Sequence, residues 1–201
     1  MFYNIVKWGV KLAGNNIASL ILTSIPVYFL TWFSISEGFL NVGYYSRANS
    51  LLIIGTVIAS SVGPLLYSKW SLVKGKELKL QVRRVSLLLA FVNTLLAIGL
   101  IIFAPIFIRI LYGTEYQTAA PVLRLLALTM IANGAKEVSY GILSSQGSPL
   151  SIMKNLVIGI ILSAILNYFI IPQFGVIGCS VVTVLVTFTT AFLLQLSLIH
   201  I

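Results

Sequence analysis

The stretch that decides the fold is VSLLLAFVNTLLAIGLIIFAPIFIRILY, residues 85–112, in which Arg109 is the only charged side chain. A helix of about 20 apolar residues is long enough to cross the hydrocarbon core of a bilayer. The run is continuous, whereas the strands of a membrane barrel alternate between polar and apolar residues. It therefore predicts a membrane-spanning α-helix, bent at Pro105 because proline lacks an N–H and clashes with the preceding turn.

Similar apolar runs occur on both sides of this segment. The chain of 201 residues is 59% hydrophobic and only 8% charged, whereas soluble domains carry about 25% charged residues. Because so few charges cannot cover a surface in water, we predict an all-α, polytopic membrane protein. It forms one domain over residues 1–201, a bundle of about six helices. The predicted spans are 12–33, 44–67, 85–112, 118–143, 152–171 and 176–198.

The basic residues orient this bundle. With the N-terminus in the cytoplasm, nine of the 13 basic residues fall on the cytoplasmic side, six of them in a predicted loop at 68–84. Cytoplasmic loops of membrane proteins are rich in Lys and Arg. We therefore expect both termini in the cytoplasm. The net charge of +9 indicates topology and contact with anionic lipid headgroups, and we expect no nucleic-acid partner.

Of the charged residues that fall inside predicted spans, four are candidates for a functional role: Arg47, Arg124, Lys136 and Glu137. A charge in the middle of a span costs about 2.5–3.5 kcal/mol on insertion scales. One interpretation is that these side chains reach out to the headgroups. The other is that Arg47, Arg124 and Lys136 bind an anionic substrate group such as phosphate, while Glu137 couples transport to an ion or a proton.

Small and polar residues recur on one face of several spans. In the fifth span, Asn155, Gly159, Ser163 and Asn167 follow one another at intervals of four. Such stripes are typical of helix packing in membranes, where close approach and hydrogen bonds replace the hydrophobic effect. Helix packing is therefore the favoured interpretation; the other is that some of the stripes line a polar cavity.

The residues needed for catalysis are sparse. The chain has four glutamates, no aspartate, a single histidine near its end and a single cysteine. Metal-dependent phosphoryl transfer needs carboxylates to hold the cation. We therefore predict no enzyme activity, no metal site and no cofactor.

Three segments carry a family resemblance: NVGYYSRANSLL at 41–52, FAPIFIRILYGTEYQTAAPVLRLLAL at 103–128 and NYFIIPQFGVIGCSVVTVL at 167–185. In order and spacing they resemble the C-terminal half of polysaccharide flippases, in particular those of O-antigen and capsule repeat units. These flippases belong to the multidrug/oligosaccharidyl-lipid/polysaccharide exporter superfamily.

The resemblance implies one lobe of a two-lobed transporter, with about six helices per lobe around a central cavity. Such a protein moves an oligosaccharide linked to undecaprenyl pyrophosphate across the bacterial inner membrane, as in lipopolysaccharide synthesis. Its expected partners are that lipid-linked oligosaccharide, membrane lipids, and either the missing N-terminal lobe or a second copy of this chain.

Three alternatives remain. A multidrug cation antiporter of the same superfamily needs an acid inside the membrane, and only Glu137 qualifies. A non-transporting membrane scaffold would dock the polymerase of the polysaccharide pathway. An intramembrane enzyme is disfavoured by the scarcity of carboxylates and histidines.

Overall fold

The computed structural model describes residues 2–33, 39–60, 76–145 and 149–199, and over these ranges the chain is helical without any strand. This confirms the all-α class. Within these ranges the α-helices are α1 (Phe2–Phe33), α2 (Leu40–Ser60), α3 (Lys76–Tyr112), α4 (Ala119–Ala127), α5 (Thr129–Ser145) and α6 (Pro149–Ile199), with a 3-10 turn at Thr114–Tyr116.

Helix α6 is a hairpin of two arms, residues 149–174 and 176–199. Its one non-helical residue is Gly175, with φ 54° and ψ −137°, a conformation that glycine adopts at little cost. The arms pack side by side: the Asn155 amide donates to the Ser197 hydroxyl at 3.2 Å. The predicted break at residues 172–175 thus corresponds to a reversal of the chain.

The predicted fourth span, 118–143, is divided between α4 and α5. The joint is tight: the N–H of Leu128 donates to the carbonyl of Leu125 at 3.1 Å, and the Thr129 hydroxyl donates to the carbonyl of Leu126 at 2.6 Å. Because the backbone bond of Leu128, like that of Ile131 to the carbonyl of Leu128 at 3.2 Å, spans three residues as in a 3-10 helix, the chain tightens for one turn without reversing.

Helix α3 begins at Lys76, nine residues before the predicted start of its span. Much of the segment predicted as a loop at 68–84 is therefore helical from residue 76, while 68–75 lies outside the described residues, as does the end of the second span at 61–67. The reason is composition, since Lys, Glu, Leu, Gln and Arg are strong helix formers even where they are too polar for lipid.

The helices run up and down between two ends. One, the aromatic end, contains Tyr44, Tyr112, Tyr116 and Gly175; the rings of Tyr44 and Tyr116 lie 6.1 Å apart. The other, the basic end, contains Arg83 and Arg84 at the start of α3 and Lys154 at the start of α6. Between them, α1 packs mainly on α6, α2 and α3 pack on α4, and α5 packs on α3 and α6.

Polarity is distributed in the opposite sense to that of a soluble protein. Large apolar side chains face outward, such as Trp32 at 75% exposed and Ile110 at 74%, while Asn93, Asn167 and Ser180 are fully buried. Within the described ranges, the helical segments Leu12–Phe33, Leu80–Tyr112 and Leu150–Leu198 are long and apolar enough to cross a membrane. These observations place the protein in a membrane; the count of six spans stays a prediction.

Candidate functional site

A polar chamber of about 300 Å³ lies between α1, α2, α3 and α5. Every one of the eight side chains that line it carries a polar group, which is unusual inside a body with an apolar exterior. The lining residues are Asn16, Ser19, Thr56, Asn93, Asn133, Lys136, Glu137 and Tyr140. The chamber thus offers hydrogen-bond donors, acceptors and one charge of each sign.

A larger main chamber of about 630 Å³ adjoins it, and Thr56, Asn133 and Lys136 line both. Its walls mix apolar side chains with hydroxyls, including those of Thr183 and Thr187 on α6. Thr23 on α1 and Ile53 on α2 line it and are exposed, so the chamber reaches the surface between these helices. The two chambers form one cleft, with the Lys136 ammonium at their junction.

Helical spacing explains why these residues face the cleft. On α5, Lys136 and Glu137 follow Asn133 by three and four residues and precede Tyr140 by four and three, which places these side chains on one broad face. The same spacing relates the lining residues Asn49, Ile53 and Thr56 on α2. This periodicity is visible in the sequence, yet the predicted site includes only the two charged members on α5 and omits Asn133, Tyr140 and the lining residues of α2.

Asn93 supplies an open acceptor to the polar chamber. Its side chain is fully buried, and its amide nitrogen donates to the carbonyl of Leu89 at 2.8 Å. Its Oδ1 has no hydrogen-bond partner within the described part of the chain. Because a buried acceptor without a partner costs free energy, Oδ1 would gain from a donor in the chamber once a small movement of the side chain exposes it.

Arg47 lies at the aromatic end and outside the cleft. Its guanidinium carbon sits 5.2 Å from the ring centre of Tyr112 and 5.9 Å from that of Tyr116, within the range of cation–π attraction. Relative to Asn49, which faces the cleft, Arg47 points about 160° away around the helix. Its charge is therefore held by an aromatic cluster and does not line the cleft.

Arg124 also points elsewhere, and it has a specific partner. Its Nε donates to the carbonyl of Ile101 at 3.1 Å. In a regular helix the N–H of residue 105 would donate to that carbonyl, but Pro105 has none. The exposed Arg124 side chain thus replaces the backbone bond that Pro105 removes from α3, and so joins α4 to the bend in α3.

We expect the replacement Arg124→Gln to destabilise the protein by about 0.6–2 kcal/mol, the range of hydrogen bonds between membrane helices. In a Pro105→Ala background the loss should be at least halved, because the new N–H can bond to Ile101. Thermal unfolding of the four proteins in detergent measures this coupling. Equal losses in both backgrounds would show that the bond to Ile101 does not stabilise the fold.

The structure therefore brings together only part of the predicted site. Lys136 and Glu137 line the cleft, whereas Arg47 and Arg124 do not converge with them. Among the described residues, no group of three His, Cys, Asp or Glu side chains could hold a metal ion.

Comparisons with known proteins agree that this is a membrane protein. The sequence model of a family described as polysaccharide biosynthesis protein matches residues 1–121. The chain is 29% identical over 185 residues to an uncharacterized membrane protein of Methanocaldococcus jannaschii, an alignment covering 90% of this chain and 36% of that protein. It is 26% identical over 174 residues to a probable low-salt glycan biosynthesis flippase of Haloferax volcanii, covering 82% of this chain and 37% of the flippase.

The chain thus spans little more than a third of the length of these curated relatives. No solved structure matches it. The family match covers more than half of the chain and includes α1, α2, α3 and the start of α4. The chain therefore belongs to the polysaccharide biosynthesis protein family.

Proposed function

We propose that this chain forms one lobe of a transporter that flips lipid-linked oligosaccharides across a membrane. The observation that carries the proposal is the cleft, with a wholly polar chamber and a cation inside a body that faces lipid. A glycan needs such a path, because its hydroxyls lose their bonds to water when they enter hydrocarbon. The Haloferax volcanii relative is named a probable flippase, which favours transport over the role of a non-transporting scaffold.

The proposed lobe crosses the membrane six times. The crossings are α1, α2, α3, the tandem of α4 and α5, and the two arms of α6. The structure supports this count through its up-and-down arrangement, since the link after α3 and the reversal at Gly175 lie at the same aromatic end. With Arg83, Arg84 and Lys154 at the other end, the positive-inside rule places the basic end in the cytoplasm.

The cleft matches the two chemical parts of the substrate. Hydroxyls and amides such as those of Thr56 and Asn133 both donate and accept hydrogen bonds, as do sugars. The Lys136 ammonium suits the phosphate that joins sugar to lipid, as a compact charge with three donors. The opening between α1 and α2 lets the lipid tail stay in the bilayer while the headgroup occupies the cleft. No bond is made or broken in this step, so the proposal involves no enzyme activity.

One observation favours a second candidate. Glu137 lines the polar chamber, where a carboxylate could bind a proton or a cation, as a multidrug cation antiporter requires. The adjacent Lys136 opposes a cationic drug in the same chamber, so we assign Glu137 to ion or proton coupling of glycan transport. The undecaprenyl carrier, the O-antigen repeat unit and the bacterial inner membrane stay predictions; both relatives described above are archaeal.

Reconstitution tests the proposal. The chain is placed in liposomes that contain a fluorescent lipid-linked oligosaccharide. In one sample it is the only protein, and in the other it is combined with the region of the Haloferax volcanii relative that lies outside the alignment. Access of an impermeant quencher reports flipping. We expect flipping to require the added part, or a second copy of the chain at high density, because a lone lobe would expose its cleft to lipid.

The alternatives predict different outcomes. If the chain associates stably with the added part or with a second copy but the glycan is not flipped in either case, the proposal is contradicted and the scaffold is favoured. Uptake of a lipophilic cation driven by a proton or sodium gradient, without movement of the glycan, would favour the antiporter.

A further inference from the structure

A second groove, of about 460 Å³, lies outside the cleft at the aromatic end, along the seam between α3 and the turn 114–117 that follows it. It is lined by Pro105, Ile106, Arg109, Thr114 and Gln117. The exposed Arg109 occupies the last turn of α3, where the negative end of the helix dipole stabilises its charge. The groove therefore presents one fixed cation and two polar side chains at the edge of the apolar surface.

Local hydrogen bonds fix the shape of this groove. The N–H of Gly113 donates to the carbonyl of Arg109 at 3.1 Å, and the Gln117 amide donates to the carbonyl of Pro105 at 3.3 Å. The second amide hydrogen of Gln117 and the Thr114 hydroxyl can both donate to an anion. The polar wall is thus built by the turn that follows α3.

The opposite side of the groove is apolar. Ile106 is 51% exposed, and the exposed side chains of α3 continue from it along the helix. These side chains are Ile102, Phe103, Phe107 and Ile110. A ligand that fits this site has an anionic head beside Arg109 and a long apolar tail against α3.

Arg124 adds positive charge one turn of α3 below the groove. Its Nε bonds to the carbonyl of Ile101, which is four residues before Pro105, so the guanidinium is held in place while its other donors point outward. Among the described residues, the acid near the groove is Glu115 in the 3-10 turn, and it does not line the groove. The local field at the seam therefore favours an anion.

We propose that this seam between α3 and the turn 114–117 binds the phosphate of an anionic membrane phospholipid, with its acyl chain along the exposed row of α3. The site is separate from the cleft, and the inference holds whether or not the chain flips glycans. The amphiphilic groove favours a membrane lipid over free phosphate, because free phosphate would leave the apolar wall uncovered.

Lipid titration of the whole purified chain, followed by native mass spectrometry, tests this site. The probes are phosphatidylglycerol, phosphatidylcholine and inorganic phosphate. We expect tighter binding of phosphatidylglycerol than of phosphatidylcholine, and a loss of about fivefold in Arg109→Gln, the effect of one basic residue near an anionic headgroup. The Arg84→Gln variant removes an exposed arginine from the other end of the same helix and should change the affinity less than twofold.

Further variants keep the inference testable if Arg109→Gln folds poorly. Thr114→Val should weaken binding, whereas Glu115→Gln should leave it unchanged or strengthen it. Equal losses in the Arg109 and Arg84 variants, or equal affinity for both lipids, would overturn the proposal. Displacement of the lipid by millimolar inorganic phosphate would also overturn it, because the site would then recognise a free anion.

Discussion

Replacing Lys136 by Gln should reduce glycan flipping ten- to a hundredfold. The ammonium stands where the two chambers meet, so a phosphate that moves through the cleft passes beside it. A hydrogen bond to a charged group contributes about 1.5–3 kcal/mol, and each 1.4 kcal/mol is a factor of ten. The initial rate of quencher access in the reconstituted transporter measures the loss. Lys136→Arg should keep most of the activity, because it keeps the charge.

The control for this experiment is Lys154→Gln. Lys154 is exposed on the first arm of α6 at the basic end and does not line the cleft. Its replacement removes the same charge from the chain, so we expect less than a twofold effect. Similar losses in both variants would mean that net charge, and not the position of Lys136, governs transport.

The replacement Gly159→Leu should destabilise the fold by about 3 kcal/mol, the upper end of the usual cost of overpacking. A Cβ on Gly159 would lie 2.7 Å from Cγ2 of Thr190 and 3.3 Å from Cδ2 of Leu22. The two arms of α6 and helix α1 therefore meet at this residue at a distance that excludes any side chain. Chemical or thermal denaturation in detergent measures the change.

Gly99→Leu provides the matched control. Gly99 is also inside a helix, but a Cβ there meets no atom within 4 Å. Since leucine has a higher helix propensity than glycine by somewhat less than 1 kcal/mol, the Gly99 variant should be neutral or slightly stabilised. If both variants lose the same stability, close packing at Gly159 is not what holds the hairpin together.

The fold class could be predicted because lipid imposes a simple rule on composition. A span must be long and apolar, and the run at 85–112 meets this requirement without reference to its neighbours. The turn at Gly175 was equally readable, because Pro172 and a glycine interrupt an apolar run. The start of α3 at Lys76 could not be predicted from the apolar pattern. A helix that continues from the membrane into water keeps its backbone hydrogen bonds, although its residues change from apolar to polar.

The site was harder to predict. The sequence shows where along a span a charged residue lies, but it does not show toward which neighbouring helix its side chain points. Arg47, Arg124 and Lys136 are all cations within apolar runs, and the sequence gives no reason to separate them. What separates them is packing: Arg47 meets two tyrosine rings, and Arg124 meets the carbonyl that Pro105 frees. The second contact joins residues 23 positions apart, a pairing that no local pattern encodes.

The position of Lys136 at the junction of the chambers also limits how fast a transporter can turn over. A cargo held too firmly there would have a long residence time, because tight binding slows escape. In the proposed transporter, a single ammonium with a carboxylate beside it in the chain would capture a phosphate and still let it leave rapidly. A second cation in the cleft would raise the affinity for the phosphate but lower the maximal rate of transport. Tight binding of the cargo and its fast release therefore exclude one another at this position.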